Sequence, residues 1–168
     1  MNISRIMFLI AALVVAGSGR SSRSAGMRKE EIAKAVTLLR GAYAAFNRGD
    51  IDSAVSDFDP NIEWIEPPEF PGGGTYQGRE GAKRYLTQSR AGCRHVISDP
   101  VKFIPAGDRI VVFVHARVLP KQNDQWQHID LADVYTFKAG KAVAMRAFAH
   151  REDALKWVGI GEVESATP

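Results

Sequence analysis

Leu131-Ala132-Asp133-Val134-Tyr135-Thr136-Phe137-Lys138-Ala139-Gly140-Lys141 reads as a β-strand that runs into a tight turn. Successive strand side chains alternate between faces, so Leu131, Asp133, Tyr135 and Phe137 share one side. Working outward, strands are predicted near 94–104, 109–119, 126–138 and 141–150. Ala106-Gly107-Asp108 and Ala139-Gly140 are tight connections between antiparallel neighbours. The chain upstream has a different period. Ile32, Val36, Leu39, Tyr43 and Phe46 recur at steps of four and three, one face of an amphipathic helix. Gly49 is placed to cap its C-terminus. Asp50 caps a second helix predicted through Phe58, where Asp59-Pro60 stops it. A strand at 61–66 follows. Pro67-Pro68-Glu69-Phe70-Pro71-Gly72-Gly73-Gly74 excludes regular structure. A short helix is predicted from Arg79 to Ser89 and a last one from Arg151 to Val158. Helices first and a meander of long strands afterwards argue α+β, with helices on one face of a curved antiparallel sheet and a small-molecule pocket between them.

The chain of 168 residues is long enough for one domain with a sizeable core, and its 45% hydrophobic and 24% charged residues exclude wholesale disorder. The formal charge of +3 does not point to nucleic acid. Residues 1–26 carry Arg5, Arg20 and Arg23 and no acid; without them Lys+Arg falls from 22 to 19, level with 19 Asp+Glu. The single cysteine, Cys93, excludes an intrachain disulfide and reads as a buried or half-buried thiol at a strand start. Arg5 followed by the ten apolar residues Ile6 to Val15 and then Ala16-Gly17-Ser18-Gly19 has the pattern of a secretory signal cleaved near Ala16. Ten residues are too few to span a bilayer. The competing reading starts the protein at Met27 and leaves it cytoplasmic. Under both, 1–26 lies outside the fold, 27–160 forms the domain and 161–168 is a tail.

Two acids stand where a plain core would hold apolar residues. Asp133 shares its face with Leu131, Tyr135 and Phe137. Glu66, at the end of Ile62-Glu63-Trp64-Ile65-Glu66, shares its face with Ile62 and Trp64. A carboxylate on an apolar face is costly to keep charged, and the shifted pKa that results often marks chemistry. The structural alternative pairs Asp133 with Arg146 or His150 on the adjacent strand. His115 shares a strand face with Val111, Phe113 and Arg117. His115, His128 and Asp130 fit no usual metal-ligand spacing, and no metal is expected. The triple glycine at 72–74 lacks the Gly-Lys-Ser/Thr of a phosphate loop and reads as a flap over the pocket, with Tyr76 as a contact. Tyr43, Trp64 and Phe148 are candidate pocket walls.

Three stretches carry a family resemblance: Ala44-Ala45-Phe46-Asn47-Arg48-Gly49-Asp50-Ile51-Asp52; Gly73-Gly74-Thr75-Tyr76-Gln77-Gly78-Arg79-Glu80-Gly81; and Asp133 to Lys141 continuing through Arg146-Ala147-Phe148. Together they resemble the SnoaL-like branch of the nuclear-transport-factor-2 superfamily, whose cone-shaped α+β barrel is shared with ketosteroid isomerase. The resemblance spans about residues 30 to 158. It implies a homodimer and a cofactor-free pocket for a hydrophobic or semi-polar small molecule. Counted without gaps, Glu66-Pro67 falls at the general base of ketosteroid isomerase and Asp133 at its protonated oxyanion donor. The helix-one tyrosine of that enzyme falls on Ala42, one residue from Tyr43.

The expected function is acid/base chemistry beside a carbonyl, of isomerase or cyclase type, with Glu66 as base and Asp133 as oxyanion donor. Tyr43, Trp64, Tyr76, His115, Arg146 and Phe148 are the expected substrate contacts. A non-catalytic ligand- or protein-binding domain is the alternative, favoured by the missing tyrosine at 42. A second alternative follows limonene epoxide hydrolase, with Arg117 or Arg146 as the cation and Asp133 as one acid.

Overall fold

The computed structural model describes residues 26–161. The signal-like stretch and most of the expected tail lie outside the described residues. Helix α1 (Lys29–Asn47) buries Ala35, Leu39, Tyr43, Ala45 and Phe46. Gly49, at φ 79°, turns the chain out of it, its N–H donating to the Phe46 carbonyl. Asp50 accepts from the Ser53 N–H and starts α2 (Ile51–Val55). That helix is one turn shorter than expected. Residues 56–58 form a turn in which Phe58 still points into the core, because the coming Asp59-Pro60 leaves no room for a further helical turn.

Six strands follow: β1 (Glu63–Glu66), β2 (Gly74–Gln77), β3 (Cys93–Ala106), β4 (Arg109–Pro120), β5 (Gln127–Lys138) and β6 (Lys141–Phe148). Helix α3 (Gly78–Ala91) separates β2 from β3, and α4 (Arg151–Trp157) ends the fold. The sheet order is β2-β1-β6-β5-β4-β3. The sheet is curved and does not close into a barrel, so β2 and β3 remain edges. Pro100 sits in edge strand β3 next to a register shift, the setting in which a strand tolerates proline. Two features depart from the sequence expectation. Residues 74–77, for which the sequence predicts no strand, form β2 against β1, and β1 runs parallel to β6 in an otherwise antiparallel sheet. A four-residue edge strand beginning with glycine has too short a pattern to read, and direction across a long connection is a tertiary property.

The two faces of the sheet have different cover. On β4, Ile110, Val112 and Val114 join Leu39, Tyr43, Phe58, Ile62, Trp64 and Met145 in the main core beneath the helices. On the outer face, Val111, Ala132, Val134 and Ala154 form a smaller core under α4. Trp157 is clamped there, with the Arg109 guanidinium 4.2 Å from its ring centre, that of Arg146 at 5.6 Å and the Phe148 ring at 5.8 Å.

Candidate active site

Between the concave face of the sheet and α1 and α3 lies a cavity of about 310 Å³. Its walls are mostly apolar and aromatic: Phe46, Phe58, Trp64, Phe70, Tyr85, Leu86, Val114, Ala116 and Leu131, with Tyr43 and Tyr135. Glu66 and Asp133 are its only acidic lining residues among the described residues. Alternation on β5 turns Asp133 inward with Leu131 and Tyr135 while Ala132 and Val134 go to the outer core. The same rule on β1 turns Trp64 and Glu66 inward.

Each acid is held by an aromatic donor. The Tyr43 hydroxyl donates to Asp133 Oδ2 at 2.5 Å. The Trp64 indole N–H donates to Glu66 Oε1 at 2.7 Å. Glu66 is only 6% exposed, the one charged residue type in the buried set among the described residues. Asp133 is half-buried and lines the cavity.

Burial raises both carboxyls. Glu66 is pushed up to about 8 by desolvation first and by the Asp133 charge second, with the Trp64 and Tyr85 donors pulling the other way. Asp133 is pushed up to about 6 by desolvation, opposed by the Tyr43 hydroxyl. As pH rises Asp133 therefore loses its proton before Glu66 does. The phenols of Tyr43 and Tyr135 are raised far above their ordinary value, by burial first and then by Asp133, and stay neutral donors.

The expected site residues divide between the two faces. Glu66, Asp133, Tyr43 and Trp64 come together around the cavity. Tyr76 stands behind the wall: its ring packs on Tyr85 at 5.1 Å and its hydroxyl donates to the Gly72 carbonyl at 2.5 Å. It closes the 67–73 loop, whose Phe70 and Pro71 reach the cavity instead. His115, Arg146 and Phe148 lie on the outer face. The cavity side of β4 carries Val114, Ala116 and Val118, so the intervening His115 and Arg117 point away. His115 there accepts or donates to Asp130 at 2.8 Å and to His128 at 3.2 Å. Arg146 and Phe148 pack on Trp157.

Three readings of the sequence, two of them alternatives, are corrected by this geometry. Asp133 is opposite Ala147 on β6, and Arg146 is opposite Val134, so the Asp133–Arg146 ion pair does not form. The helix-one hydroxyl, expected to be missing, is supplied by Tyr43. The Asp-Arg-Asp set of the epoxide-opening alternative does not assemble either, since neither Arg117 nor Arg146 lines the cavity. Sequence reasoning passed over Tyr85, Phe46, Phe58 and Phe70. Tyr85 had a signal: Ala82, Tyr85 and Leu86 form an apolar i, i+3, i+4 stripe on α3.

The profile of the SnoaL-like domain matches residues 39–145. The fold is similar to that of TerC, crystallised with polyporic acid: 25% identity and a TM-score of 0.63 over 75% of this chain and 98% of that one. It is similar to a protein of ketosteroid-isomerase-like fold from Catenulispora acidiphila DSM 44928, in complex with trimethylamine, at 15% identity and a TM-score of 0.61 over 78% and 97% of the two chains. A third likeness is to SalBIII, an epoxide hydrolase/cyclase-like enzyme in pyran ring formation in polyether salinomycin, at 23% identity and a TM-score of 0.58 over 73% and 93%. No curated protein matches the chain.

Proposed function

The chain belongs to the SnoaL-like domain family, and on that premise we propose that its cavity binds a hydrophobic or semi-polar small molecule and moves a proton beside a carbonyl without a cofactor. One observation carries this reading. Two carboxyls, each raised by burial, Asp133 to a lower value than Glu66, face one apolar cavity. Such a pair offers a base and an acid at the same time. TerC, at 25% identity, was crystallised with polyporic acid, which supports a small-molecule ligand for this cavity.

The division of labour we propose reverses the one expected from the sequence. Asp133 is the base, because the Tyr43 phenol donates to it and supports its anion. Glu66 is the proton-bearing member, because it feels the Asp133 charge in addition to its own desolvation. In the reaction Asp133 takes the proton from the carbon beside the carbonyl. Glu66 donates a hydrogen bond to the oxygen on which the enolate charge develops, and returning the proton to another carbon completes an isomerisation or opens a cyclisation.

Deuterium wash-in tests this. The chain is incubated in heavy water with a panel of cyclic and aromatic ketones and mass gain is followed. Asp133→Asn is expected to slow exchange by roughly 10²-fold or more, the range of a lost general base. Glu66→Gln, whose amide still donates, is expected to cost less. The rate should rise as pH passes about 6, where the base ionises, and fall beyond about 8, where the acid loses its proton. Exchange that the double variant leaves unchanged would sink the proposal, and the opposite ranking of the two variants would restore Glu66 as base.

A further inference from the structure

The cavity also has a charge character that proton transfer beside a carbonyl does not require. Among the described residues its lining contains Glu66 and Asp133 and no lysine, arginine or histidine. Tyr43 occupies Asp133 Oδ2, and among the described residues no hydrogen bond reaches Oδ1. Asp133 thus presents a free acceptor oxygen to an otherwise apolar space. Around it stand four rings in mutual contact. Phe58 lies 6.1 Å from Trp64 and 5.9 Å from Tyr135; Trp64 lies 6.4 Å and Tyr43 6.5 Å from Tyr135.

We propose that the cavity is a binding site for a hydrophobic monocation: an amine or quaternary ammonium carrying an apolar body. A carboxylate buried without a cationic partner is costly, and a ligand cation removes that cost by supplying the partner. The aromatic walls add cation–π attraction, which is strongest when both sides are desolvated. A neutral molecule of the same shape gains only the burial of its surface. An anion meets two carboxyls and nothing to pair with. The volume is at the small end of ligand pockets, so the body is a single ring or a short chain.

The groups facing Asp133 are Tyr43 from α1, Glu66 from β1, Tyr85 from α3 and Tyr135 on β5 itself. The tyrosines stay neutral, so beside Asp133 it is the Glu66 carboxyl that changes charge with pH; the free Cys93 thiol of β3 also lines the cavity. Cation binding therefore tightens as pH rises and the carboxyls ionise. Ammonium binding and proton transfer have only the cavity in common. A chain that binds ammonium and exchanges no ketone hydrogen keeps the first and loses the second.

The test is titration calorimetry on the full chain with three benzyl probes: benzyltrimethylammonium, its neutral carbon isostere neopentylbenzene, and the anion phenylacetate. At pH 8.5 the ammonium is expected to bind at least about tenfold more tightly than the isostere, about 1.4 kcal/mol. That advantage should shrink severalfold at pH 5, and phenylacetate should bind weakest. Asp133→Asn should remove the advantage while leaving the isostere bound. If that variant does not fold, the three-probe comparison on the unaltered chain decides alone. An ammonium advantage below tenfold at pH 8.5, no ammonium binding, or tighter binding of phenylacetate would overturn the proposal.

Discussion

Glu66 shows at the scale of a single residue what a functional group costs a fold. Its folded-state value of about 8 lies far above the ordinary 4.5, so between those limits the folded chain holds a proton that the unfolded chain has released. The Glu66 contribution to stability is therefore full below about pH 4.5 and is lost as pH rises toward 8. At about 1.4 kcal/mol for each tenfold change in proton affinity, the burden is a few kcal/mol. Glu66→Gln keeps an acceptor for the Trp64 indole and loses the charge. It is expected to melt roughly 5 °C or more above the unaltered chain at pH 8.5 and to match it near pH 4.5, a comparison that calorimetry settles. Equal melting temperatures at both pH values would mean that Glu66 carries no desolvation burden. The acids themselves were legible in the sequence, because a charged residue in phase with Trp64 or Tyr135 breaks an otherwise apolar face. Their order of titration was not. It depends on which hydroxyl or indole reaches each oxygen, and Tyr43 reaches Asp133 from 90 residues away in the chain.

At the scale of elements, the 67–74 segment is the least sequence-like part of the fold and sets one wall of the cavity. Its reversal is tight: the Phe70 N–H donates to the Pro67 carbonyl and the Gly73 N–H to the Phe70 carbonyl. A Cβ on Gly73 would stand 2.2 Å from the Pro67 oxygen and 2.8 Å from Pro68 Cα, both backbone atoms that cannot swing aside. Gly73→Ala should therefore destabilise the chain by about 1–3 kcal/mol and displace Phe70 and Pro71 from the cavity. Chemical denaturation measures the first effect and weakened ligand binding the second; a variant as stable as the parent would show that the loop packs differently. The strand faces were a second element-scale decision. His115 belongs to a strand that does line the cavity, yet falls on its outer face; Arg146 and Phe148 sit on the outer face of β6, which contributes no residue to the lining among the described residues. Both faces of β4 are apolar enough to be covered, and α4 covers part of the outer one, so composition could not say which side was concave.

For the whole molecule, the homodimer implied by the family resemblance is carried forward as a proposal. Light scattering on the full chain should return about twice the 18.4 kDa of one copy, and a monomer at micromolar concentration would refute it. Among the described residues no helix is long and apolar enough to cross a membrane. The sequence by itself determined the α+β class, most of the element order and the identity of the two acids. Those are properties of periodicity, of turn residues and of a charge that interrupts an apolar face, and all are local along the chain. Only the tertiary structure decided that β1 pairs parallel with β6, that the sheet stays open, and that Tyr43 rather than Arg146 meets Asp133. These depend on which distant segments come to lie side by side. A cavity lined by two acids and, among the described residues, by no cationic side chain belongs to that second class. It arises because the fold turns His115, Arg117 and Arg146 to the other face of the sheet and ties Arg90 of α3 to the Phe46 and Val96 carbonyls.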